Sequence, residues 1–289
     1  MAVKIANKTF EWGKRTYIMG IINATPDSFS GDGLIAEGKD WVSKAVAQGV
    51  QQEKDGADIL DVGGESTRPG STPVSLEEEL RRVIPVIEGL AKNISIPISI
   101  DTYKSEVARQ AIQAGASIIN DVWTQMDSEI FDVAAKHKVP LILMHNHNEP
   151  KNAKHSGMLG GRYVGMEYGD LMNDISRGLK ELVRKALNAG VVRENIIVDP
   201  GIGFGKTVEQ NLELIFRLRE LKALGLPLLV GPSRKSFAGY TLNLPPEERL
   251  EGTAAAVTLC IERGADIVRV HDVKAMNRAA KLTDAIIRR

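Results

Sequence analysis

The sequence has one cysteine, Cys260, and only 5% aromatic residues among its 289 positions. A single cysteine excludes an intrachain disulfide and a metal cluster held by several cysteines. There is no excess of charge of either sign, because 37 Lys and Arg residues balance 37 Asp and Glu residues. Proteins that bind nucleic acid or anionic membranes usually carry an excess of basic residues, so the balance argues against both partners.

Long apolar runs are also missing. No stretch approaches the roughly 20 residues that a membrane helix needs, and the start of the chain, MAVKIANKTFEW, lacks the apolar core of a secretion signal. Hydrophobic residues make up 43% and charged residues 26% of the chain, the ordinary balance of a folded protein. We therefore expect a cytoplasmic enzyme or binding protein with no membrane partner.

The sequence does contain a regular alternation of short apolar runs and longer amphipathic segments. The runs are rich in Ile, Val and Leu without polar alternation, which is typical of parallel strands covered on both faces. They lie at residues 17–22, 58–62, 97–100, 117–119, 140–144, 196–198, 227–230 and 266–270. Eight strand–helix units in about 250 residues predict an α/β fold of the TIM (β/α)8 barrel type. A doubly wound open sheet is the structural alternative.

The organisation of the chain indicates a single domain over residues 1–289, because no linker or change of composition divides it. Residues 3–15 precede the first unit and predict a short N-terminal β-hairpin across the bottom of the barrel. The longest irregular stretch covers residues 146–169 and is rich in glycine and polar residues. Loops of such length are often functional or mobile.

Several helix ends carry recognisable signals. Ser75 followed by Glu78, and Thr207 followed by Gln210, fit the capping box that begins a helix. Pro85 falls inside the helix that starts after Ser75, where its missing N–H predicts a kink or a break. A glycine just before an apolar run indicates a helix that ends there. That pattern recurs at Gly56, Gly115 and Gly264.

Polar side chains end or follow every predicted strand. In a barrel these carboxyl ends converge on one mouth, the face that carries active sites. The cations suit phosphate or carboxylate oxygens, and buried Asp and Asn side chains suit the N–H donors of an aminopyrimidine ring. Pairing of these charges with one another is the alternative interpretation. The residues concerned are Asn23, Asp61, Asp101, Asn120, His145, Asp199, Ser233, Arg234, Lys235, Arg269 and His271.

Two glycine-rich segments, residues 63–70 and 199–207, predict loops whose backbone passes close to a ligand. The second ends in Gly-Lys-Thr but is not a P-loop, because Pro200 stands where that motif needs its first glycine. It is not a dinucleotide-binding fingerprint either, because Lys206 occupies the third glycine position. We interpret it as a turn that leads into a helix at Thr207.

His145 and His147 form a His-x-His pair after the fifth predicted strand. Together with Asp199 they raise the alternative of a metal-dependent hydrolase. No third histidine falls at a matching strand end, which favours ordinary loop histidines. Cys260 has apolar neighbours in a helical segment and is interpreted as a packed core thiol.

Two longer motifs make the sequence similar to a known family. Residues 18–30 read IMGIINATPDSFS and residues 56–70 read GADILDVGGESTRPG, and both resemble signatures of the dihydropteroate synthases. Further similar segments follow in order: IDT at 100–102, IND at 119–121, LMH at 143–145, DPGIGFGK at 199–206, SRKSF at 233–237 and RVH at 269–271. One difference concerns the first loop, where the family commonly has Asp directly after Ser30. Here Gly31 separates Ser30 from Asp32, which affects the role of Asp32 and not the family.

The resemblance implies a TIM barrel, usually dimeric, that acts as a transferase in folate synthesis. Such an enzyme joins p-aminobenzoate to 6-hydroxymethyl-7,8-dihydropterin pyrophosphate and releases pyrophosphate and 7,8-dihydropteroate. The resemblance further implies Mg²⁺ as cofactor, sulfonamides as competitors of aminobenzoate, and a homodimer. A methyltetrahydrofolate-binding methyltransferase barrel is the nearest alternative, and a non-catalytic pterin-binding paralogue is another.

The resemblance also assigns site residues, position by position. The implied catalytic set is Asn23, Asp101, Asp199, Lys235, Arg269 and His271. The implied pterin pocket comprises Asp101, Asn120, Met144, Asp199, Lys235 and Arg269. The implied pyrophosphate site comprises Asn23, Thr67, Arg68, Arg269 and His271, with Asn23 also meeting the metal. The implied aminobenzoate site comprises Thr67, Arg68, Pro69, Phe204 and Ser236.

An SN1-like substitution follows from these assignments. Pyrophosphate leaves first, and carboxylates of the pterin pocket stabilise the cation that remains. An arylamine is neutral at pH 7, so the mechanism needs no strong base, and none is assigned. The loops at residues 25–33 and 65–70 are expected to close over the site.

Overall fold

The computed structural model of the chain describes residues 2–25, 41–66, 71–123, 126–146, 153–156, 159–163 and 165–288. Strands in these ranges form one large parallel sheet and two small antiparallel hairpins. In chain order they are β1 (Ala2–Ile5), β2 (Lys8–Glu11), β3 (Tyr17–Asn23), β4 (Ile59–Gly63), β5 (Ile98–Asp101), β6 (Ile118–Asp121), β7 (Leu141–Met144), β8 (Ala153–Ser156), β9 (Gly160–Tyr163), β10 (Ile196–Asp199), β11 (Leu229–Val230) and β12 (Ile267–Val270).

The large sheet is a closed barrel. Its strand order is β10-β7-β6-β5-β4-β3-β12-β11, and every neighbouring pair is parallel. The two ends of that order meet, because Val198 of β10 bridges Leu228 and its N–H donates to the Pro227 carbonyl at 3.0 Å. The predicted TIM barrel is confirmed, and the alternative of an open sheet is wrong. The eight predicted runs coincide with the strands to within two residues at each end.

Helices connect the strands and cover the outside of the barrel. In the described part of the chain they are α1 (Trp41–Lys54), α2 (Leu76–Asn93), α3 (Ser105–Ala114), α4 (Glu129–His137), α5 (Leu171–Asn188), α6 (Val208–Arg217), α7 (Ser236–Leu242), α8 (Leu250–Glu262) and α9 (Val273–Ile287). Among these described segments, none is a helix long and apolar enough to span a membrane.

Most of the predicted helix signals are confirmed. The capping box at Thr207 is complete, with hydrogen bonds in both directions between Thr207 and Gln210. At Ser75 only half of the box forms, because the Glu78 carboxylate pairs with two arginines of its own helix. Of the kink or break predicted at Pro85, the break does not occur, since α2 continues through Pro85 with a buried apolar face that offsets the missing hydrogen bond. Positive φ angles confirm the helix-ending glycines Gly56, Gly115 and Gly264.

Strand residues alternate between the two sides of the barrel wall. On β4, Leu60 and Val62 pack in the outer core against the helices, whereas Ile59 lies in the inner cluster. Asp61, two residues after Ile59, therefore faces the barrel interior as well. The strands contribute to that inner apolar cluster Tyr17, Met19, Ile59, Ile118, Ile142, Ile197, Leu229 and Ile267. The interior is thus apolar where the strands begin and polar where they end.

The N-terminal hairpin closes the apolar end of the barrel. Val3, Ile5 and Phe10 are buried in the same inner cluster as the strand residues. The ring centroid of Phe10 lies 4.7 Å from that of Tyr17, the first residue of β3. The predicted hairpin and its position at the bottom are both confirmed.

The second hairpin, β8–β9, lies in a stretch for which the sequence predicts no regular structure. That prediction is wrong for the described residues. The hairpin packs on α7, because the Arg162 guanidinium lies 5.1 Å from the ring centroid of Tyr240. The Tyr240 hydroxyl also donates to the Gly160 carbonyl at 3.5 Å. The absence of apolar alternation in β8 and β9 explains why the sequence pattern does not reveal them.

Candidate active site

Polar side chains that face the barrel interior gather at the carboxyl ends of the strands. Asn23, Asp101 and Asp199 are the last residues of β3, β5 and β10. Asn120 and Arg269 are the third residues of β6 and β12. Four of them follow an inward apolar residue of the same strand by an even number of residues, and Asp101 is the register partner of Asn120. All five therefore face the barrel interior, because strand side chains alternate between the two faces.

One hydrogen-bonded network joins four of these side chains. Arg269 donates from Nε to Asp61 Oδ2 at 2.6 Å and from a terminal nitrogen to Asp101 Oδ2 at 2.7 Å. Asn120 Nδ2 donates to the same Asp61 oxygen at 2.9 Å. The Oδ1 atoms of Asp61 and Asp101 are buried and have no hydrogen-bond partner among the described residues. The mouth charges therefore do pair with one another here, yet the pairing leaves two buried acceptor atoms to be satisfied by a ligand or water.

A second network surrounds Asp199. Its Oδ1 accepts from the Gly201 N–H at 2.7 Å, and its carbonyl accepts from the His145 N–H at 2.8 Å. Lys206 Nζ donates to the carbonyls of Gly201 at 3.0 Å and Phe204 at 2.9 Å. Gly201 has φ +72°, and a Cβ there would lie 2.1 Å from the His145 carbonyl oxygen, so the turn requires glycine. The segment is thus the tight turn that the sequence predicts.

An aromatic cluster lies next to this turn. The ammonium of Lys235 lies 4.0 Å from the ring centroid of Phe204, and Trp123 meets that ring edge-on at 6.1 Å. Met144 is buried in the same cluster. Phe204, assigned by resemblance to the aminobenzoate pocket, therefore also borders Lys235 and Met144, which are assigned to the pterin pocket.

The remaining predicted residues lie around the rim. His271 Nδ1 is 3.0 Å from Ser233 Oγ, which fixes the imidazole beside β12. Ser236 is the first residue of α7, directly after Lys235. Arg234, expected among the mouth cations, forms an ion pair with both carboxylate oxygens of Asp272 at 2.7 and 3.0 Å. The backbone of Arg234 is left-handed, with φ of 53°.

Burial shifts the pKa values of the site towards neutrality. Burial raises the pKa of Asp101 to about 7, and the nearby Arg269 opposes that shift. Burial likewise raises the pKa of Asp199 to about 6, and the hydrogen bond from Gly201 opposes it. Burial lowers the pKa of Lys206 to about 7, against the attraction of Asp199. Titratable groups whose pKa values are shifted by burial in this way are typical of functional sites.

Lys206 is a site residue that sequence reasoning missed. In the sequence, Lys206 is only a mismatch to two phosphate-binding motifs, whereas in the fold its side chain is buried and holds the 201–204 turn together. The only sequence signal for Lys206 is its position between Gly205 and Thr207, in the glycine-rich segment that is predicted to approach a ligand. Its role depends on carbonyls that only the folded turn brings within reach.

Some predicted residues lie outside the described part of the chain. They are Gly31, Asp32, Thr67, Arg68, Pro69 and His147. Within the described part, no group of three or more His, Cys, Asp or Glu side chains is arranged to hold a metal ion. Cys260 is buried in α8, and burial raises its thiol pKa to about 12, as expected for a packed core thiol.

Comparison with known proteins decides the family. A family model described as pterin binding enzyme matches residues 19–271. The chain belongs to this family. The dihydropteroate synthase of Clostridium beijerinckii is 51% identical over 289 residues, which cover 99% of this chain and all of that protein. The dihydropteroate synthase of Bacillus subtilis is 49% identical over 275 residues, with coverage of 95% and 90%.

Solved structures of pterin-binding enzymes match the barrel closely. A dihydropteroate synthase from Clostridium difficile, crystallised with pteroic acid, superposes with a TM-score of 0.87 at 46% identity and covers 97% of this chain and 100% of that one. A Yersinia pestis dihydropteroate synthase in a sulfonamide drug complex gives a TM-score of 0.90 at 39% identity, with 99% of both chains covered. The resemblance to dihydropteroate synthases, transferases of folate synthesis, is confirmed. The methyltransferase and hydrolase alternatives are disfavoured, because the full-length relatives carry the synthase name.

Proposed function

We propose that the chain condenses 6-hydroxymethyl-7,8-dihydropterin pyrophosphate with p-aminobenzoate, giving 7,8-dihydropteroate and pyrophosphate. The observation that carries this proposal is the joined set of Asp61, Asp101, Asn120 and Arg269 at the barrel mouth, inside the segment that matches pterin-binding enzymes. Carboxylates and amides there suit the donor-rich pterin ring, and the cations suit its diphosphate. The similarity to dihydropteroate synthases over the full length supports the same reaction.

The pterin subsite in this proposal is the interior of the mouth. Asp199 and Asn120 meet the aminopyrimidinone edge, because a carboxylate and an amide offer the acceptors that ring N–H groups need. Lys235 donates to the ring carbonyl side, and Arg269 lies against the ring. Asp101 accepts with its second oxygen. Met144 supplies an apolar contact from the end of β7.

The pyrophosphate subsite is assigned to Asn23, Thr67, Arg68, Arg269 and His271. Mg²⁺ is bound in proteins through one or two oxygen ligands together with substrate phosphates and water. The Asn23 amide oxygen fits this role, since Gly63, its register partner on β4, places no side chain between β3 and β5. When bound, the ion would neutralise charge on the diphosphate.

The aminobenzoate subsite is assigned to Thr67, Arg68, Pro69, Phe204 and Ser236. Phe204 and Pro69 would contact the two faces of the benzene ring, and sulfonamides would compete there. The position of Ser236 at the start of α7 supports this assignment, because the N-terminus of a helix favours a carboxylate.

The reaction begins with cleavage of the bond between the exocyclic methylene carbon and the diphosphate oxygen. The diphosphate leaves with the electron pair, and Arg269 and His271 stabilise its developing charge. The cation left on the pterin lies beside Asp101 and Asp199. The neutral amine of p-aminobenzoate then attacks the methylene carbon, and its proton is lost to solvent, so no protein base is required.

Three further features belong to the proposal. We propose one pterin-binding barrel domain over residues 1–289, a cytoplasmic location and a homodimer. The homodimer is supported by apolar side chains exposed on α6 and α8, such as Phe216 and Leu259. Uncovered apolar surface of this kind is characteristic of interaction sites.

A coupled assay for pyrophosphate release tests the proposed function. Release is expected only when both the pterin substrate and p-aminobenzoate are present. Release without p-aminobenzoate would indicate hydrolysis, and binding of pterin without any release would indicate a non-catalytic pterin-binding protein. Either result would overturn the proposal.

A further inference from the structure

Asp61 is the most deeply buried member of the mouth network and carries no role in the proposed reaction. Its side chain is fully buried, on the third residue of β4. A single oxygen, Oδ2, accepts from both Arg269 Nε at 2.6 Å and Asn120 Nδ2 at 2.9 Å. Asp61 therefore touches two residues that the proposed function places on the pterin.

The contact with Asn120 fixes the orientation of its amide. An ionised carboxylate only accepts hydrogen bonds, so the amide atom that faces Asp61 must be the nitrogen. The carbonyl oxygen of Asn120 is then turned away from Asp61. Asn120 is itself almost fully buried, and a flipped amide would place two oxygens against each other at about 3 Å. Asp61 thereby determines that Asn120 offers an oxygen acceptor on its other side.

The contact with Arg269 fixes the guanidinium. Asp61 holds the Nε edge, and Asp101 holds a terminal nitrogen at 2.7 Å. Two carboxylates on two edges determine the plane of this group, because its donors lie in a rigid fork. Among the described residues, loss of Asp61 would leave only Asp101 to hold Arg269, which could then rotate about that single contact.

We propose that Asp61 is a positioning residue that sets the pterin specificity of the site through Asn120 and Arg269. It makes Asn120 an acceptor for a ring N–H group and holds Arg269 in the plane that the ring requires. This inference rests on the proposed function, because it assumes that the ligand of the mouth is a pterin.

The test compares Asp61→Asn with Ser99→Ala. Asparagine keeps the shape of Asp61 but removes the charge and allows the Asn120 amide to turn over. Ser99 is the register partner of Asp61 on β5, equally buried, and its hydroxyl has no hydrogen-bond partner among the described residues. Binding of 6-hydroxymethyl-7,8-dihydropterin is measured by calorimetry, and KM is measured for both substrates.

For Asp61→Asn, affinity for the pterin is expected to fall by about 10- to 100-fold, the loss typical of one or two charge-assisted hydrogen bonds. KM for p-aminobenzoate is expected to stay within about twofold of wild type, as is every value for Ser99→Ala. A merely structural role for Asp61 would lower the amount of folded protein and leave the affinity of the folded fraction unchanged.

The Asn120→Ala background separates positioning from a direct contact. If Asp61 acts through Asn120, the double variant Asp61→Asn, Asn120→Ala loses less affinity than the product of the two single losses. If the double variant loses as much affinity as the product of the two single losses, the inference is overturned. Wild-type affinity in folded Asp61→Asn would also overturn it.

Should Asp61→Asn not fold, Asp61→Glu replaces it. Failure of both variants to fold would make Asp61 a folding determinant and end the proposal. Wild-type protein that binds no pterin would instead contradict the proposed function.

Discussion

Asp199 is the single side chain on which pterin binding is expected to depend most. It is buried at the end of β10 and already accepts one backbone hydrogen bond from Gly201. Asp199→Asn would turn an acceptor group partly into a donor that opposes the ring N–H groups. We expect pterin affinity and kcat/KM to fall by about 100-fold or more. Near-normal turnover would contradict the pterin assignment, and Asp58→Asn at the opposite end of the barrel serves as the control.

The pH dependence of pterin binding follows from two raised pKa values. Asp101 has a pKa of about 7 and Asp199 of about 6, both raised by burial. In the proposed pterin subsite their ionised forms accept hydrogen bonds from the ring, so affinity is expected to fall as the pH drops through 7 and then 6. Calorimetric titration between pH 5 and pH 8 measures this, and Asp199→Asn should lose the step near 6. An affinity independent of pH over that range would be the contrary result.

The same two groups affect the stability of the ligand-free chain in the opposite sense. The native state binds their protons more tightly than the unfolded chain, where the usual value is 3.8. Their contribution to the free energy of unfolding is therefore fully present below pH 3.8, the pKa in the unfolded chain. It is lost as the pH rises through their folded-state pKa values of about 6 and about 7. The site is thus less stable in the ionised state that it needs for its ligand.

At the residue scale, the sequence predicts what strand alternation determines. Asp101 and Asp199 follow apolar runs directly, and the period of two turns them inward. Strand alternation does not predict which hydrogen-bond partners these side chains have. Arg269 meets Asp61 across 208 positions, and no local pattern indicates which oxygen it will choose.

At the scale of elements, a charged clasp ties the start of α2 to the loops after β4 and β5. Lys104 Nζ lies 2.5 Å from both Glu65 and Glu79, and Glu79 is almost fully buried. Burial raises the pKa of Glu79, and Lys104 opposes that shift. Glu65 lies two positions before residues 67–69, which are assigned to substrate binding, so the clasp holds the described residue that leads into that segment of the sequence.

Lys104→Met is expected to lower the free energy of unfolding by about 3–5 kcal/mol, because it leaves the Glu79 carboxylate buried without its cation. Adding Glu79→Leu should restore most of that loss, since the unpaired charge is then gone. Urea unfolding measures both variants. Arg109→Met, which removes a half-exposed pair with Glu106, is the control and should change stability by less than about 1 kcal/mol. Equal effects of Lys104→Met and Arg109→Met would show that the clasp is unimportant.

Element prediction succeeds where a local signal is strong and fails where packing overrides it. The capping box at Thr207 is a contact between near neighbours, and it forms as the sequence predicts. Pro85 does not interrupt α2, because the apolar face that packs on the barrel outweighs one missing hydrogen bond. The β8–β9 hairpin has no apolar stripe of its own and depends on contacts with α7 that the sequence does not reveal.

At the scale of the whole molecule, the two ends of the barrel have separate tasks. The inner apolar cluster with the hairpin packs the bottom of the barrel, and the polar mouth is the proposed site of the chemistry. Eight repeated units predict this architecture, because seven of the eight strands contribute an apolar residue to the inner cluster, and six of the eight end in or near an inward polar residue. The closure between β10 and β11 depends on a bridge at Leu228 that only the folded chain shows.

Phe10→Ala tests that separation. Phe10 is almost fully buried against Tyr17, so its truncation is expected to cost about 3–5 kcal/mol of stability. The kcat/KM of the folded protein should be unchanged, because the substitution lies at the end of the barrel away from the mouth. Thermal unfolding and the pyrophosphate assay measure the two effects, with exposed Lys8→Ala on the same strand as control. A folded variant with reduced kcat/KM would contradict the division.

The proposed homodimer is assigned to an apolar patch formed by Leu212 and Phe216 on α6 and Leu259 on α8. All three are exposed, Phe216 by 70%. Arg263 joins the two helices, because its Nε donates to the Phe216 carbonyl at 2.7 Å and its guanidinium lies 5.3 Å from the ring centroid. Residues 212, 216 and 259 therefore form one surface, which a second copy of the chain would remove from water.

Phe216→Glu combined with Leu259→Glu is expected to convert the proposed homodimer to monomers, because two carboxylates would be buried without partners at the interface. Light scattering after size-exclusion chromatography measures the mass. Leu187→Glu, an equally apolar exposed position on α5, should leave the mass unchanged. A wild-type mass of one chain would refute the homodimer, and a double variant that stays dimeric would place the interface on another face. Since the mouth residues all belong to one barrel, pterin binding should survive in the monomer.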